Sequence, residues 1–169
     1  MSADEIVHKL LSPKTDIGQK VVNLIGAEIL IDGQIDRSVI AKKVFNQPHL
    51  LQSLENLLHP AVQEEIETES AYVESNQLAS VFIAEIPLLF ETGGERFFDF
   101  TIAVVADVKQ CQERFIKATH KSIAEFEKRS ARQLSMEEKA QKATYTIVNN
   151  NSLADLKLTV AKLYTNLTT

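Results

Sequence analysis

Through most of its first half the chain places apolar residues at helical spacing. Ile6, Val7, Leu10 and Leu11 share one face of a helix predicted over 3–11, and a second helix is predicted over 16–24, with Asp16 as N-cap and Gly26 closing it. The stretch 28–37 reads as a short extended piece turning at Asp32-Gly33. A helix over 37–45 follows, with Ile40, Val44 and Phe45 apolar. Residues 48–58 then carry Leu50, Leu51, Leu54, Leu57 and Leu58 at near-ideal spacing for a core-facing stripe. Pro60 fits the first turn of a helix and disfavours helical geometry in the residue before it. His59 is therefore expected at a junction, with a fresh helix over 61–73.

The period changes at Ser80. Residues 80–86 form an apolar, β-branched run, the pattern of a strand covered on both faces, and Pro87 cannot donate to a sheet ladder, so the chain should leave the sheet there. Ligands in open parallel sheets bind beyond the carboxyl ends of strands, which puts Glu85, Pro87, Leu88 and Glu91 at the mouth of a candidate site. An ordinary exit turn is the competing explanation. Strands are also predicted over 100–106 and 145–148. Helices separate them, one running through Gln112 and Arg114, one polar segment over 122–142, and one over 153–167. Such alternation implies a parallel sheet with flanking helices, an α/β fold, although three strands are few for a doubly wound sheet.

Composition narrows the classes. The chain has 169 residues, 44% of them apolar, enough for one domain that buries about two-thirds of its unfolded surface. A net charge of −5 argues against non-specific nucleic-acid binding, and the single Cys111 allows no internal disulfide and supplies no zinc cluster. No basic leader followed by an apolar stretch and no long apolar run is present, so a cytoplasmic protein without membrane association is expected.

The segment 117–142 holds Lys117, His120, Lys121, Lys128, Arg129, Arg132, Lys139 and Lys142 among glutamates, with few large apolar residues. It reads either as a solvated helical pair of mixed charge or as a lid whose guanidinium forks close over phosphates. His59 has two readings as well, a partly exposed helix-end residue or a ring reaching into a site.

These pieces, taken in order, resemble the dephospho-coenzyme A kinase family. The matching residues are Ser2 to Asp4, Gly33 to Arg37 leading into Ala41 to Phe45, Leu57 to Pro60, and Ile86 to Glu91. Further along come Gln112 to Arg114, Arg129 to Gln133, Met136 to Lys139, and Ala143 through Asn150. The ordered set covers nearly the whole chain, and Pro-Leu-Leu-Phe-Glu and His-Pro are its strongest elements. The resemblance implies ATP- and magnesium-dependent phosphorylation of the ribose 3′-hydroxyl of dephospho-CoA on a P-loop kinase fold. It implies a single domain over 1–169, with a helical acceptor-binding insertion at 12–78, a lid-like segment at 117–142 and a sheet core in the remainder. Asp4 resembles the family's catalytic base. Arg37, His59, Pro87, Leu88 and Leu89 resemble acceptor-pocket positions. Arg114, Arg129, Arg132 and Gln133 resemble residues covering the ATP phosphates, and Asn149 and Asn150 resemble the loop near adenine.

The chain also departs from the family. The Gly-x-x-x-x-Gly-Lys-Ser/Thr loop, whose N–H groups cradle phosphates, is nowhere in the sequence, and Met1 stands where the family reaches the end of its second strand. Ser2 replaces the first acid of Asp-Ala-Asp, His8 lies near a usual arginine, and Ala118 falls at a lid-arginine position. A sheet without its first, central strand and phosphate loop is expected to fold poorly alone, so the displayed start is expected to be internal and turnover by the chain as written incomplete. Two alternatives stand beside the kinase: a catalytically dead relative that binds a CoA-like ligand, and a helical interaction module.

Overall fold

The computed structural model describes residues 1–45 and 47–168. They form two compact units, residues 1–87 and 88–169.

The first unit is mostly helical. Helix α1 (Ala3–Leu10) is followed by α2 (Asp16–Ile25), a 3-10 turn at Ala27–Ile29, a hairpin of β1 (Leu30–Ile31) and β2 (Gln34–Ile35), α3 (Arg37–Phe45) and α4 (Pro48–Ser75). Helix α4 packs against α1, α2 and α3. Leu11, Val21, Ile25, Ile29, Ile40, Val44 and Leu54 form the buried cluster at the centre, so the helical stripes in the sequence become the core. The hairpin turns on Asp32 and Gly33, at φ 50° and 75°. Two successive left-handed residues match the right-handed twist of the strands, and Asp-Gly is a favoured pair there. Gly18 is required for a different reason. A Cβ on it would stand 1.8 Å from the Ser12 carbonyl oxygen, inside the tight connection between α1 and α2.

Three local expectations fail in this unit. The N-cap of α2 is Thr15, whose hydroxyl accepts from the Gly18 N–H at 2.9 Å, and Asp16 is already helical. The helix does not break at His59-Pro60; α4 runs through Pro60 to Ser75. Proline removes one hydrogen bond, to the Asn56 carbonyl, but Pro60 and Asn56 are exposed and water can serve that oxygen. The apolar face docked on three helices holds the rest in line. The run 80–86 is not a strand covered on both faces. It is extended, Ile83 is 60% exposed, and its only sheet-like pairing among the described residues is a parallel bridge between Ser2 and Glu85. In that bridge the Glu85 N–H donates to the Met1 oxygen and the Ala3 N–H to the Glu85 oxygen, both at 2.9 Å. Apolar composition reports a tendency to be buried; here the neighbours that bury such a run on both sides are few.

The second unit is the α/β part. A turn over residues 87–93 leads through a 3-10 segment at Gly94–Phe97 to β3 (Ile102–Val105), α5 (Val108–Thr119), α6 (Ile123–Ser130), α7 (Met136–Lys142), β4 (Tyr145–Val148) and α8 (Leu153–Thr168). Strands β3 and β4 pair in parallel, Ile102 opposite Tyr145 through Val105 opposite Val148. The sheet with flanking helices expected from the alternating pattern is therefore present, carried by two of the three predicted strands. The polar segment 122–142 is a pair of helices, α6 and α7, as the helical-pair reading of its charge pattern expects. Ser135 starts α7 with a capping box: its hydroxyl accepts from the Glu138 N–H at 3.1 Å and the Glu138 carboxylate accepts from the Ser135 N–H at 2.8 Å. Among the described residues no helix is long and apolar enough to cross a membrane.

Candidate active site

Asp4 lies in the first turn of α1, exposed, two residues beyond Ser2. Pro87 lies two residues beyond Glu85. Asp4 and Pro87 each follow the Ser2–Glu85 bridge by two residues, Asp4 on α1 and Pro87 in a turn, and Pro87 does not line the hollow that Asp4 lines. The Ser2 hydroxyl donates to the Glu85 carboxylate at 2.8 Å and fixes this start.

Asp4 also lines an open surface hollow of about 540 Å³, together with Glu5, His8, Lys9 and Arg37. Arg37 comes from 33 residues further on and is held by the cap of its own helix. The Asp36 carboxylate accepts from the Ser38 and Val39 N–H groups at 2.7 and 3.2 Å. The Ser38 bonds, with a smaller share from Val39, hold the Asp36 carboxyl below its ordinary pKa. The Asp36 N–H in turn donates to the Ile29 oxygen at 2.8 Å, which ties α3 to the buried 3-10 turn. A second hollow of about 430 Å³ shares Arg37 and is lined by Ile31, Gln34, Ile35, Asp36 and Ser38. Arg37 thus stands between an acid-and-base wall on α1 and the hairpin.

Chemically, the first hollow offers a carboxylate to take a proton and a permanent cation whose planar fork suits phosphate oxygens. His8 is one turn from Asp4 on the same helix face, and in the sequence it stands out only as a departure from the family pattern. Its i, i+4 spacing from Asp4 was the available signal. His59 is on α4, exposed, and lines neither hollow.

In the second unit the remaining candidates fall into two groups. One is a hydrogen-bonded cluster at the carboxyl ends of the parallel strands. The Arg114 guanidinium donates to the Asn149 oxygen at 3.0 Å and to the Gln110 side chain at 2.9 Å. Asn150 accepts from the Asp107 N–H at 2.7 Å and donates to the Asp107 carboxylate at 2.8 Å, and Gln110 donates to the Asn150 oxygen at 2.9 Å. That is where parallel sheets place ligands. The other group is on α6 and the turn after it. The Arg129 guanidinium lies 5.5 Å from the centre of the Phe115 ring. Arg132 and Gln133 follow in the turn closed by the bonds from Arg132 N–H to the Arg129 oxygen and from Gln133 N–H to the Ser130 oxygen. Leu88 is exposed and Leu89 half-buried, in a turn where the Thr92 N–H donates to the Leu88 oxygen at 3.2 Å and the Gly94 N–H to the Leu89 oxygen at 2.9 Å. Among the described residues no three His, Cys, Asp or Glu side chains form a group able to hold a metal ion.

Residues 1–155 match the family model described as dephospho-CoA kinase. The chain is 48% identical to the dephospho-CoA kinase of Protochlamydia amoebophila, over 99% of this chain and 83% of that one. It is 42% identical to the dephospho-CoA kinase of Chlamydia abortus, over 97% and 81%. Among solved structures, TT1252 from Thermus thermophilus superposes with a TM-score of 0.83 at 29% identity, covering 100% of this chain and 84% of that one. The dephospho-CoA kinase from Campylobacter jejuni gives 0.70 at 27%, covering 99% and 84%.

Proposed function

The chain belongs to the dephospho-CoA kinase family, ATP-dependent transferases of coenzyme A synthesis, and we propose that Asp4 is its general base and Arg37 its acceptor clamp. The observation that carries this reading is the shared surface hollow: a carboxylate and a guanidinium distant in sequence line one open depression, with Asp4 two residues past the Ser2–Glu85 bridge.

In this reading the ribose 3′-hydroxyl of dephospho-CoA enters against Asp4. Its oxygen attacks the γ-phosphorus of ATP as the proton passes to the Asp4 carboxylate, and the bond to the bridging oxygen of ADP breaks. Arg37 meets anionic oxygens of the acceptor and orients it. His59, Pro87, Leu88 and Leu89 are assigned to the acceptor pocket by the family resemblance. Arg129, Arg132 and Gln133 cover the ATP phosphates, and Arg114 braces the Asn149-Asn150 loop against which adenine rests; the hydrogen-bonded cluster at the strand ends supports that part. Magnesium belongs to the proposal too. The described residues build no cage for it, and magnesium in kinases is held largely by substrate phosphates and water with one or two carboxylates.

Asp4→Asn keeps the size of the side chain and removes the proton acceptor. Turnover should fall by about 10²- to 10⁴-fold while the affinity for dephospho-CoA, measured by titration calorimetry without ATP, stays unchanged. A measurable wild-type turnover that Asp4→Asn retains in full refutes the assignment. If the wild-type chain binds dephospho-CoA and shows no heat with ATP, it is an acceptor-binding relative and not a phosphoryl-transfer catalyst.

A further inference from the structure

Glu91 closes the Pro-Leu-Leu-Phe-Glu run, and the catalytic reading above gives it no task. It sits in a hydrogen-bonded turn. Phe90 before it is buried, and the Thr92 hydroxyl donates to the Leu88 oxygen at 3.0 Å and to the Leu89 oxygen at 3.2 Å. The side chain is 14% exposed and its Oε1 takes two donors from the far side of the sequence: the Leu134 N–H at 2.9 Å and the Lys139 ammonium at 3.0 Å. Leu134 is the residue before Ser135, the cap of α7. Lys139 also donates to the Gln133 side chain at 3.3 Å. One carboxylate oxygen thus holds the end of the Arg129–Gln133 segment and the first turns of α7.

The other oxygen has a different fate. Glu91 Oε2 is buried and accepts no hydrogen bond. An unsatisfied buried carboxylate oxygen is costly, and a buried ion pair is often replaceable by apolar groups of similar volume with no loss of stability. Stability is thus a poor reason for a charge at this position, whereas fixed geometry is a good one. Burial raises the Glu91 pKa, but the Lys139 bond and the Leu134 N–H outweigh it and keep the carboxyl below its ordinary value, so Glu91 is ionised at neutral pH.

We propose that Glu91 is a positioning residue that, with Lys139, clamps the turn between α6 and α7 and so sets where Arg129, Arg132 and Gln133 meet the ATP phosphates. This rests on the assignment of those three residues to ATP. Glu91 touches no reacting atom in this scheme; it acts through the turn it holds.

The test combines hydrogen exchange with separate ligand titrations on the full chain. Glu91→Leu removes the acceptor at similar volume, Lys139→Met removes the donor, and Glu91→Gln keeps a weaker acceptor. In the first two, amides of 130–139 should exchange about tenfold faster while those of β3 and β4 keep their protection, and Glu91→Gln should recover most of the difference. The dissociation constant for ATP should rise by roughly the same factor, with that for dephospho-CoA unchanged. Faster exchange throughout the second unit in both disruptive variants means a merely structural role and overturns the proposal. Unchanged exchange at 130–139 overturns the clamp itself. Local loosening with unaltered ATP affinity leaves the clamp standing and overturns the assignment of the turn to ATP.

Discussion

Ile29→Ala tests the link between the helical core and the candidate site. Ile29 is fully buried, at 0% exposure, in the 3-10 turn beneath the hairpin, and its carbonyl receives the N–H of Asp36, the residue that caps α3 and presents Arg37. Truncation removes three carbons. At about 0.8 kcal/mol each that is roughly 2.4 kcal/mol of transfer free energy, and the residual cavity brings the total to about 3 kcal/mol, within the range for such substitutions. With a urea dependence of about 2 kcal/mol per molar, the unfolding midpoint should drop by about 1.5 M. Ile31→Ala is the control, since Ile31 is 49% exposed in the same hairpin. Its effect should stay within about 0.5 kcal/mol. The assay is urea unfolding followed by circular dichroism, with dephospho-CoA titrations in parallel. Acceptor affinity should weaken in the Ile29 variant because α3 loses part of its footing. A loss below about 1 kcal/mol, or equal losses at Ile29 and Ile31, would refute the reasoning that this cluster carries the unit.

Other outcomes follow from the same geometry. Arg37→Ala should raise KM for dephospho-CoA by roughly tenfold or more, with partial recovery in Arg37→Lys, because a lysine restores charge without the planar fork; equal KM in all three proteins contradicts the clamp. Ser135→Ala should destabilise α7 by about 1 kcal/mol, read as faster amide exchange in its first turn. The folded-state pKa of Glu91 is lowered from 4.5, so its contribution to stability is complete above that value and drains away as the pH falls further, through the folded pKa. Denaturation midpoints across acid pH should show a shallower decline for Glu91→Gln than for the wild type, and identical profiles would contradict the bonding described.

Helices were the legible part of this chain because their apolar stripes repeat over several turns, as in α1, α2 and the leucines of α4. What sequence misjudged was set by tertiary context. Pro60 reads as a break, yet packing of α4 on three other helices outweighs one missing hydrogen bond at an exposed position. The 80–86 run reads as a doubly covered strand, but burial on both faces is a property of neighbours, and Ile83 is open. Thr15 instead of Asp16 caps α2, a one-residue shift that propensity cannot resolve when both residue types make good caps. At the site, Asp4 and Arg37 were singled out through ordered family motifs and share a hollow. The i, i+4 spacing of His8 from Asp4 gains meaning only once Asp4 and Arg37 are seen to line one hollow.

Gly18 and Gly33 divide sharply in what they would accept. A saturation library across the first unit should leave position 18 a blank column, every replacement colliding with the Ser12 main chain, which cannot swing aside as a side chain can. Position 33 has open space around it and only a left-handed backbone to satisfy, so asparagine and aspartate should survive there. Anyone diversifying the first unit of this protein therefore has freedom at the hairpin tip and none at the α1–α2 elbow.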